Sequence, residues 1–303
     1  MKISKLFHTP FWKIYRAAKM EFLYKFARFY SDKKFLEELF PLRTGYKLNL
    51  DNPQTFNEKL QWLKLYNRKP EYVQMVDKVE AKKYVAGIIG EEHIIPTLAV
   101  YNKAEEIDFE SLPNQFVLKC THDSGGIVIC KDKTKLDRND AIRKLAHGLE
   151  SNYFYFNREW PYKNVTPRII AEPYMEDESG ELKDYKIFCF DGEPKAMFIA
   201  SDRFDKNEET KFDFFDMDFK HLPFTNGHPN ASCQINKPKG FEEMKALARN
   251  LSKGMPEVRV DFYDVNGHIY FGELTFFHWS GMVPFQPKEW DYKFGEWITL
   301  PSK

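Results

Sequence analysis

The stretch Val258-Arg259-Val260-Asp261-Phe262-Tyr263-Asp264-Val265-Asn266-Gly267-His268-Ile269-Tyr270-Phe271-Gly272-Glu273-Leu274-Thr275 constrains the fold more than any other part of the sequence. Alternating β-branched and aromatic residues predict two strands, and Asn266-Gly267 predicts the turn between them. Yet Arg259, Asp261 and Glu273 lie inside those strands. Charges held in a sheet need partners. Two carboxylates and a guanidinium converging on one sheet face suit a magnesium-nucleotide complex, because hard cations take carboxylate oxygens and arginine matches phosphate oxygens.

Register decides whether they converge, since a one-residue slip moves every side chain of a strand to the other face. A two-residue loop of Asn266 and Gly267 pairs Val265 with His268 and sends Glu273 to the face opposite Asp261. A three-residue loop, Val265-Asn266-Gly267 with Gly267 left-handed, pairs Asp264 with His268. It brings Arg259, Asp261, Phe271, Glu273 and Thr275 to one face. The expectation is therefore the three-residue loop or an equivalent bulge. The plain alternative is an ordinary hairpin whose charged face is solvated.

At 303 residues the chain can bury a sizeable core in one large domain or two of ordinary size. Cys120, Cys130, Cys189 and Cys233 form no close-spaced pair and sit among apolar residues, which predicts reduced cysteines in a cytoplasmic protein. Net charge is zero, so no global field for nucleic acid exists. Met1 to Tyr30 nevertheless holds seven Lys or Arg against one Glu. Leu6, Phe7, Phe11, Trp12, Ile14, Tyr15, Phe22, Leu23, Phe26 and Phe29 alternate there with Lys5, Lys13, Arg16, Lys19, Lys25 and Arg28. That mixture fits an amphipathic interfacial helix, hence peripheral membrane contact through residues 1–30, or else a basic helix packed on its own domain. No apolar run is long enough to span a bilayer, and no secretory leader is apparent.

Thr55-Phe56-Asn57-Glu58 is a capping-box pattern opening a helix through Leu60, Leu63 and Leu65. Pro70 precedes a second helix carrying Val73, Val76, Val79 and Tyr84, ended by Gly87 and Gly90. A short strand is expected around His93 to Pro96, then the apolar strand Phe116 to Cys120, containing Lys119. Thr121-His122-Asp123-Ser124-Gly125-Gly126 leads into the strand Ile127 to Cys130. This glycine-rich loop lacks the Gly-Lys-Ser/Thr of a P-loop. A helix over Asp140 to Leu149 follows, then strands at Arg168 to Tyr174, Asp184 to Phe190 and Ala196 to Ala200, and a charged loop at Asp202 to Glu209. Phe241, Met244, Leu247, Ala248 and Leu251 form a helical stripe that Gly254 and Pro256 terminate.

In their order and spacing these features resemble the ATP-grasp superfamily, and more closely its TupA-like branch, associated with teichuronopeptide and other cell-surface polysaccharide synthesis. The resemblance covers about Leu48 to Pro287. It implies an α+β fold, two α+β lobes with antiparallel sheets gripping a nucleotide, preceded by a helical N-terminal segment. The corresponding division is 1–45 for that segment and 46–303 for the catalytic domain, with the lobe boundary near 166–175. Met75-Val76-Asp77-Lys78, followed by Lys82, Tyr84, Val85 and Ile95-Pro96, is similar to the superfamily's first helix, and puts Lys78 on nucleotide phosphate. Pro113 to Lys119 is similar to the strand whose lysine reaches the α- and β-phosphates, with His122, Ser124, Gly125 and Gly126 in the loop over the triphosphate. Ile170-Ala171-Glu172-Pro173-Tyr174-Met175 resembles the linker that reads adenine, at Glu172, Tyr174 and Met175. Asp184 falls where an acid holds the ribose; Lys186 and, more weakly, Lys211 are phosphate candidates. Arg259, Asp261 and Glu273 match the triphosphate arginine and the metal carboxylates. Thr275 stands where many relatives have asparagine.

The resemblance implies an ATP- and magnesium-dependent carboxylate-amine ligase working through an acylphosphate, joining an amino acid or other amine to a uronic acid or related saccharide. Ser280 and Gly281 would contact the carboxylate, with His278 and Trp279 shaping the acceptor pocket. Phosphoryl transfer needs mainly positioning and charge neutralisation, and no Gly-x-Ser-x-Gly or zinc-type motif competes with this chemistry. Two other classes stay open. Asp216-Met217-Asp218 has the form used by glycosyltransferases to bind a metal-sugar nucleotide. A nucleotide- or glycan-binding protein without turnover is the third.

Overall fold

The computed structural model describes residues 10–123, 125–178, 180, 182–201 and 209–302. Ser124, nearly all of the expected charged loop at Asp202 to Glu209, and Lys5, Leu6 and Phe7 of the basic segment lie outside the described residues.

Helices α1 (Pro10–Lys25) and α2 (Asp32–Thr44) open the described chain. Ser31 caps α2 by accepting the Lys34 N–H at 3.3 Å, and left-handed Gly45 closes it. The expected capping box starts α3 (Phe56–Tyr66): Thr55 Oγ1 accepts the Glu58 N–H at 3.2 Å and Glu58 Oε2 accepts the Thr55 N–H at 3.1 Å. The single helix expected next is two, α4 (Glu71–Val76) and α5 (Glu80–Ile89). Asp77 breaks it. Its backbone is extended, and Oδ1 accepts the N–H groups of Val79 (2.8 Å) and Glu80 (3.3 Å), so a side chain that rivals the helical backbone caps α5 instead.

Strands β1 (Ala99–Tyr101), β2 (Phe116–Cys120) and β3 (Ile127–Cys130) precede α6 (Arg138–Glu150), α7 (Phe154–Asn157) and β4 (Ile169–Pro173). They form an antiparallel sheet in the order β1-β4-β2-β3. Ala141 and Leu145 of α6 pack on it, in a core with Phe109, Phe116, Leu118 and Ile169. The strand expected at His93 to Pro96 is absent: Glu91–His93 is a 3-10 turn and Ile94 makes only an isolated bridge to Phe271. Pro96 has no N–H to donate to a ladder, and pairing begins at Ala99.

The second lobe holds β5 (Asp184–Phe190), β6 (Glu193–Ser201), β7 (Lys211–Asp216), the short β8 (Thr225–Asn226), α8 (Phe241–Leu251), β9 (Glu257–Val265), β10 (His268–Thr275), β11 (Phe285–Gln286) and α9 (Glu289–Glu296). Its main sheet is antiparallel, in the order β10-β9-β5-β6-β7. The predicted stripe of α8 is buried at Phe241, Met244, Ala248 and Leu251, and the helix runs against β5, β6 and β9. On the other face Phe188 and Phe190 meet Phe56 of α3 and Phe294 of α9 in edge-on ring contacts. Among the four free cysteines, Cys120, Cys130 and Cys189 are buried as expected, whereas Cys233 is exposed.

Candidate active site

The hairpin solves its register problem differently from the loop favoured by sequence. Val265 pairs with His268, so the turn is the two-residue one, with Asn266 and Gly267 both left-handed (φ 55° and 92°). The convergence comes from the alternative device. Register shifts between Phe271 and Glu273, leaving Gly272 as the extra residue of a bulge. Asp261 then faces Glu273, and Arg259 faces Thr275. Phe271 pairs with Phe262 instead, which corrects its expected place beside the acids. Glycine suits the bulge because a Cβ there would approach the Asp261 carbonyl oxygen to 3.1 Å.

The charged residues form one connected cluster. Arg259 Nε donates to Asp261 Oδ1 and Nη2 to Asp261 Oδ2, both at 2.7 Å, a fork-to-fork pair. Nη2 also reaches Glu273 Oε1 (3.1 Å) and Thr275 Oγ1 (3.0 Å), and the Thr275 hydroxyl donates to Glu273 Oε1 (2.9 Å). Lys186 of β5 binds Asp261 and lies 3.4 Å from Asp184. Partial desolvation works to raise the Glu273 carboxyl, but the charges of Lys186, Arg259 and Lys78 outweigh it and hold it at about 2. Arg259 Nη1 donates to His278 Nδ1 at 2.8 Å, while His278 Nε2 meets Asn226 Oδ1 at 2.9 Å. Burial first, then Arg259 and Lys186, push His278 well below its usual value, so the ring is neutral and accepts from Arg259.

The first lobe supplies the opposite wall. Glu172 on β4 accepts from Lys119 on β2 at 2.6 Å and pairs with Lys82 of α5. Burial would raise the Glu172 carboxyl, but Lys119 and Lys82 keep it below the ordinary carboxylate range. Lys78, in the break between α4 and α5, donates to the Asp123 carbonyl. These groups share a cavity of about 480 Å³ with Asp184, Lys186, Arg259, Asp261 and Glu273. An adjoining cavity of about 490 Å³ is lined by Val117, Ile129, Tyr174, Met175 and Leu182, among others. Lys119, Glu172 and Asp184 border both spaces. An apolar slot thus opens onto a chamber carrying lysines on one wall and two opposed carboxylates on the other.

Several expected site residues sit elsewhere. His122 is buried with Nε2 at 3.0 Å from the Ser151 carbonyl, and of the loop glycines Gly126, not Gly125, borders the chamber. Lys211, at the start of β7, borders neither cavity. Ser280 and Gly281 are turned away from the chamber, a correction to their expected contact with a carboxylate. The Ser280 hydroxyl donates to buried Glu159, its carbonyl accepts from Lys64 (2.8 Å) and Gln61 (3.0 Å), and Gly281 packs on α3. Trp279, Ser280 and Gly281 are successively left-handed (φ 49°, 56° and 59°). Each non-glycine residue there costs about 1–3 kcal/mol, which the buried network beneath offsets. Asp216 closes β7, its Oδ1 accepting the N–H groups of Asp218 (2.9 Å) and Lys220 (2.8 Å) of the turn that follows, and neither aspartate of the triplet borders either of these cavities.

Sequence reasoning missed the partners of this network. Burial drives Lys64 down to about 7 against the opposing charge of Glu159, and burial likewise pushes Glu159 up. Asn57, Leu60, Gln61 and Lys64 form a buried stripe at helical spacing, and its polar members were the available signal. Lys82 carried its own signal, four residues beyond Lys78. Tyr162, which borders the chamber, carried none.

The sequence profile described as TupA-like ATPgrasp matches residues 58–299. The chain belongs to the TupA-like ATP-grasp family. Its fold is accordingly ATP-grasp, with the helical N-terminal segment preceding the matched region. Comparison with curated protein sequences returned no match. Similar solved structures include a D-alanine–D-alanine ligase from Bacillus anthracis complexed with ATP, 16% identical over 66% of this chain and 53% of that one, TM-score 0.38. Another is the D-alanine–D-alanine ligase from Helicobacter pylori, 14% identical over 80% and 69%, TM-score 0.41. A third is the ATP-grasp ligase PsnB complexed with minimal precursor, Mg and ADP, 14% identical over 72% and 57%, TM-score 0.37. The TupA-like chain spans about half the length of the first of these.

Proposed function

We propose that this TupA-like protein is an ATP- and magnesium-dependent carboxylate-amine ligase whose acid substrate is a uronic acid or related component of a cell-surface polysaccharide, such as a capsule or wall polymer of the teichuronopeptide kind. One observation carries the reading: Asp261 and Glu273 stand directly opposite each other on β9 and β10, forked by Arg259, across one chamber from Lys78, Lys82 and Lys119. The donor set fits magnesium, which is commonly held by one or two carboxylates while substrate phosphates and water supply the rest. Asp261 and Glu273 would hold it, with Thr275 as a neutral oxygen beside them.

Bound with magnesium, ATP would supply the γ-phosphoryl group that activates a carboxylate as an acylphosphate for attack by an amine. The residues act around that step by position and charge. Tyr174 and Met175 line the apolar slot for adenine, and Asp184 at its mouth accepts from ribose hydroxyls. Lys119 and Lys78 exchange their present partners, the Glu172 carboxylate and the Asp123 carbonyl, for phosphate oxygens. Arg259, fixed by Asp261 and His278, presents a preorganised cation to developing charge. In the same reading residues 1–45 precede a catalytic unit over 46–303, whose lobes meet near 166–175.

The test is to incubate the full chain with ATP, magnesium and panels of uronic acids and amines, following phosphate release and product mass. ADP and phosphate appearing only when acid and amine are both present is the expected result. UDP release from a nucleotide sugar, or intact ATP with every pair despite nucleotide binding, would overturn the proposal. Glu273→Gln should lower turnover on the order of a hundredfold or more while adenine-nucleotide binding persists.

A further inference from the structure

Helix α1 carries two apolar stripes, and the body of the protein uses one. Met20, Leu23 and Tyr24 turn inward, as does Ala27 in the 3-10 turn just beyond the helix, and Leu23 and Ala27 are buried. Phe11, Ile14, Tyr15, Ala18 and Phe22 recur at i, i+3, i+4, i+7 and i+11 and so lie on a second face. That face is open: Phe11 is 78% and Ile14 71% exposed, and Tyr15, Ala18 and Phe22 are exposed as well. Every residue from Phe11 to Ala18 except Trp12 is exposed, so the first half of the helix stands clear of the body.

The helix is nevertheless held firmly at its other end. Lys19 pairs with Glu38 of α2 at 3.1 Å. Buried Arg158 donates to the carbonyls of Ala27 and Tyr30 and pairs with Asp32 at 3.0 Å. The open stripe therefore belongs to a fixed platform. The helix is cationic: Lys25 lies within the stripe, Lys13 and Arg16 lie on the opposite side of the free half, all three are exposed and make no ion pair among the described residues, and Glu21 is the helix's one acid.

We propose that α1 docks the protein on an anionic lipid surface, lying along it with Phe11, Ile14, Tyr15 and Phe22 at the acyl boundary, Lys25 among the anionic headgroups, and Lys13 and Arg16 on the polar face within reach of the surface's field. Aromatic and aliphatic side chains on one face with cations on the polar face are what an interfacial helix uses. The helix lies on the membrane and does not cross it, since no helix among the described residues is long and apolar enough to span one. A second copy of the chain is the weaker occupant, because a two-fold contact through this face would bring together two helices of net positive charge.

Co-sedimentation of the full chain with phosphatidylcholine vesicles, with and without phosphatidylglycerol, at low and high salt tests the proposal. Binding is expected only to the anionic vesicles, weakening as salt rises. Phe11→Ser, Ile14→Ser and Phe22→Ser together should weaken it on the order of a hundredfold without changing Tm, since these side chains leave the core untouched. Lys13→Glu with Arg16→Glu should reduce it to the level seen with neutral vesicles. Equal binding to both vesicle types, no binding to either, or full binding by the serine variant each overturns the proposal. So does a dimer without vesicles that the serine variant abolishes.

Discussion

Glu257 offers a quantitative test of the charged sheet face. It opens β9 two residues before Arg259, pairs across the sheet with Phe190, and is 2% exposed. Neither carboxyl oxygen has a hydrogen-bond partner among the described residues. Burial therefore pushes this acid well above its ordinary value, and the nearby charge of Arg259 does not compensate. The folded chain keeps a proton that the unfolded chain, with a glutamate near about 4.3, releases. Above that value the native state binds more protons than the unfolded state, so stability is fully present below it and falls as pH rises towards the raised folded value. The slope is about 1.4 kcal/mol per pH unit for one proton. For a chain of this size that is roughly 3 °C in Tm per unit. Glu257→Gln keeps the shape and removes the titration. Thermal or denaturant unfolding of both proteins from about pH 5 upward should give curves that diverge by that slope, the variant gaining on the parent as pH increases. Parallel curves would show that Glu257 is ionised or partnered in the folded protein and refute the reasoning.

Three further outcomes follow from other parts of the site. Lys64→Met leaves Glu159 buried without its countercharge and frees the Ser280 and Asn157 carbonyls, so denaturant unfolding should show a loss of about 3–5 kcal/mol. Adding Glu159→Gln should recover part of it; additive losses would mean that the two groups are not coupled. His278 accepts from Arg259 at Nδ1 and so carries its proton on Nε2 towards Asn226. Its ring nitrogen NMR shifts should stay those of the neutral Nε2–H form from about pH 5 to 8, and a titration in that range would sink the assignment. At Gly295 a Cβ would lie 2.2 Å from the Gln54 carbonyl oxygen and 2.8 Å from the Phe56 nitrogen. Gly295→Ala should push α9 off α3 and cost about 1–3 kcal/mol, measurable as a lowered Tm; an unchanged Tm would place the helix elsewhere.

Local patterns carried much of the architecture in the sequence. Thr55 and Glu58 announced the start of α3, the stripe from Phe241 to Leu251 announced α8, and alternating apolar residues announced β2, β4, β5 and β6, because caps and periodicity act within a few residues. The α4–α5 break was less legible, since Asp77 caps α5 partly through its pairing with Arg168, distant in sequence. The hairpin shows the limit most clearly. Asn266-Gly267 chose the short turn that its own conformational preference favours, and the bulge at Gly272 restored the face that the charges require. That correction depends on how closely two backbones approach.

The sequence alone determined which residue types could meet: lysines in the first half, an arginine and two acids in one late hairpin, and the order of elements that makes them an ATP-grasp set. Tertiary structure decided who holds whom. Only the packed fold shows Lys119 paired with Glu172 across neighbouring strands, Ser280 turned to Glu159 beneath the site, and one stripe of α1 left open. Such pairings depend on distance through space and on burial, and residues far apart in the chain carry no local trace of either.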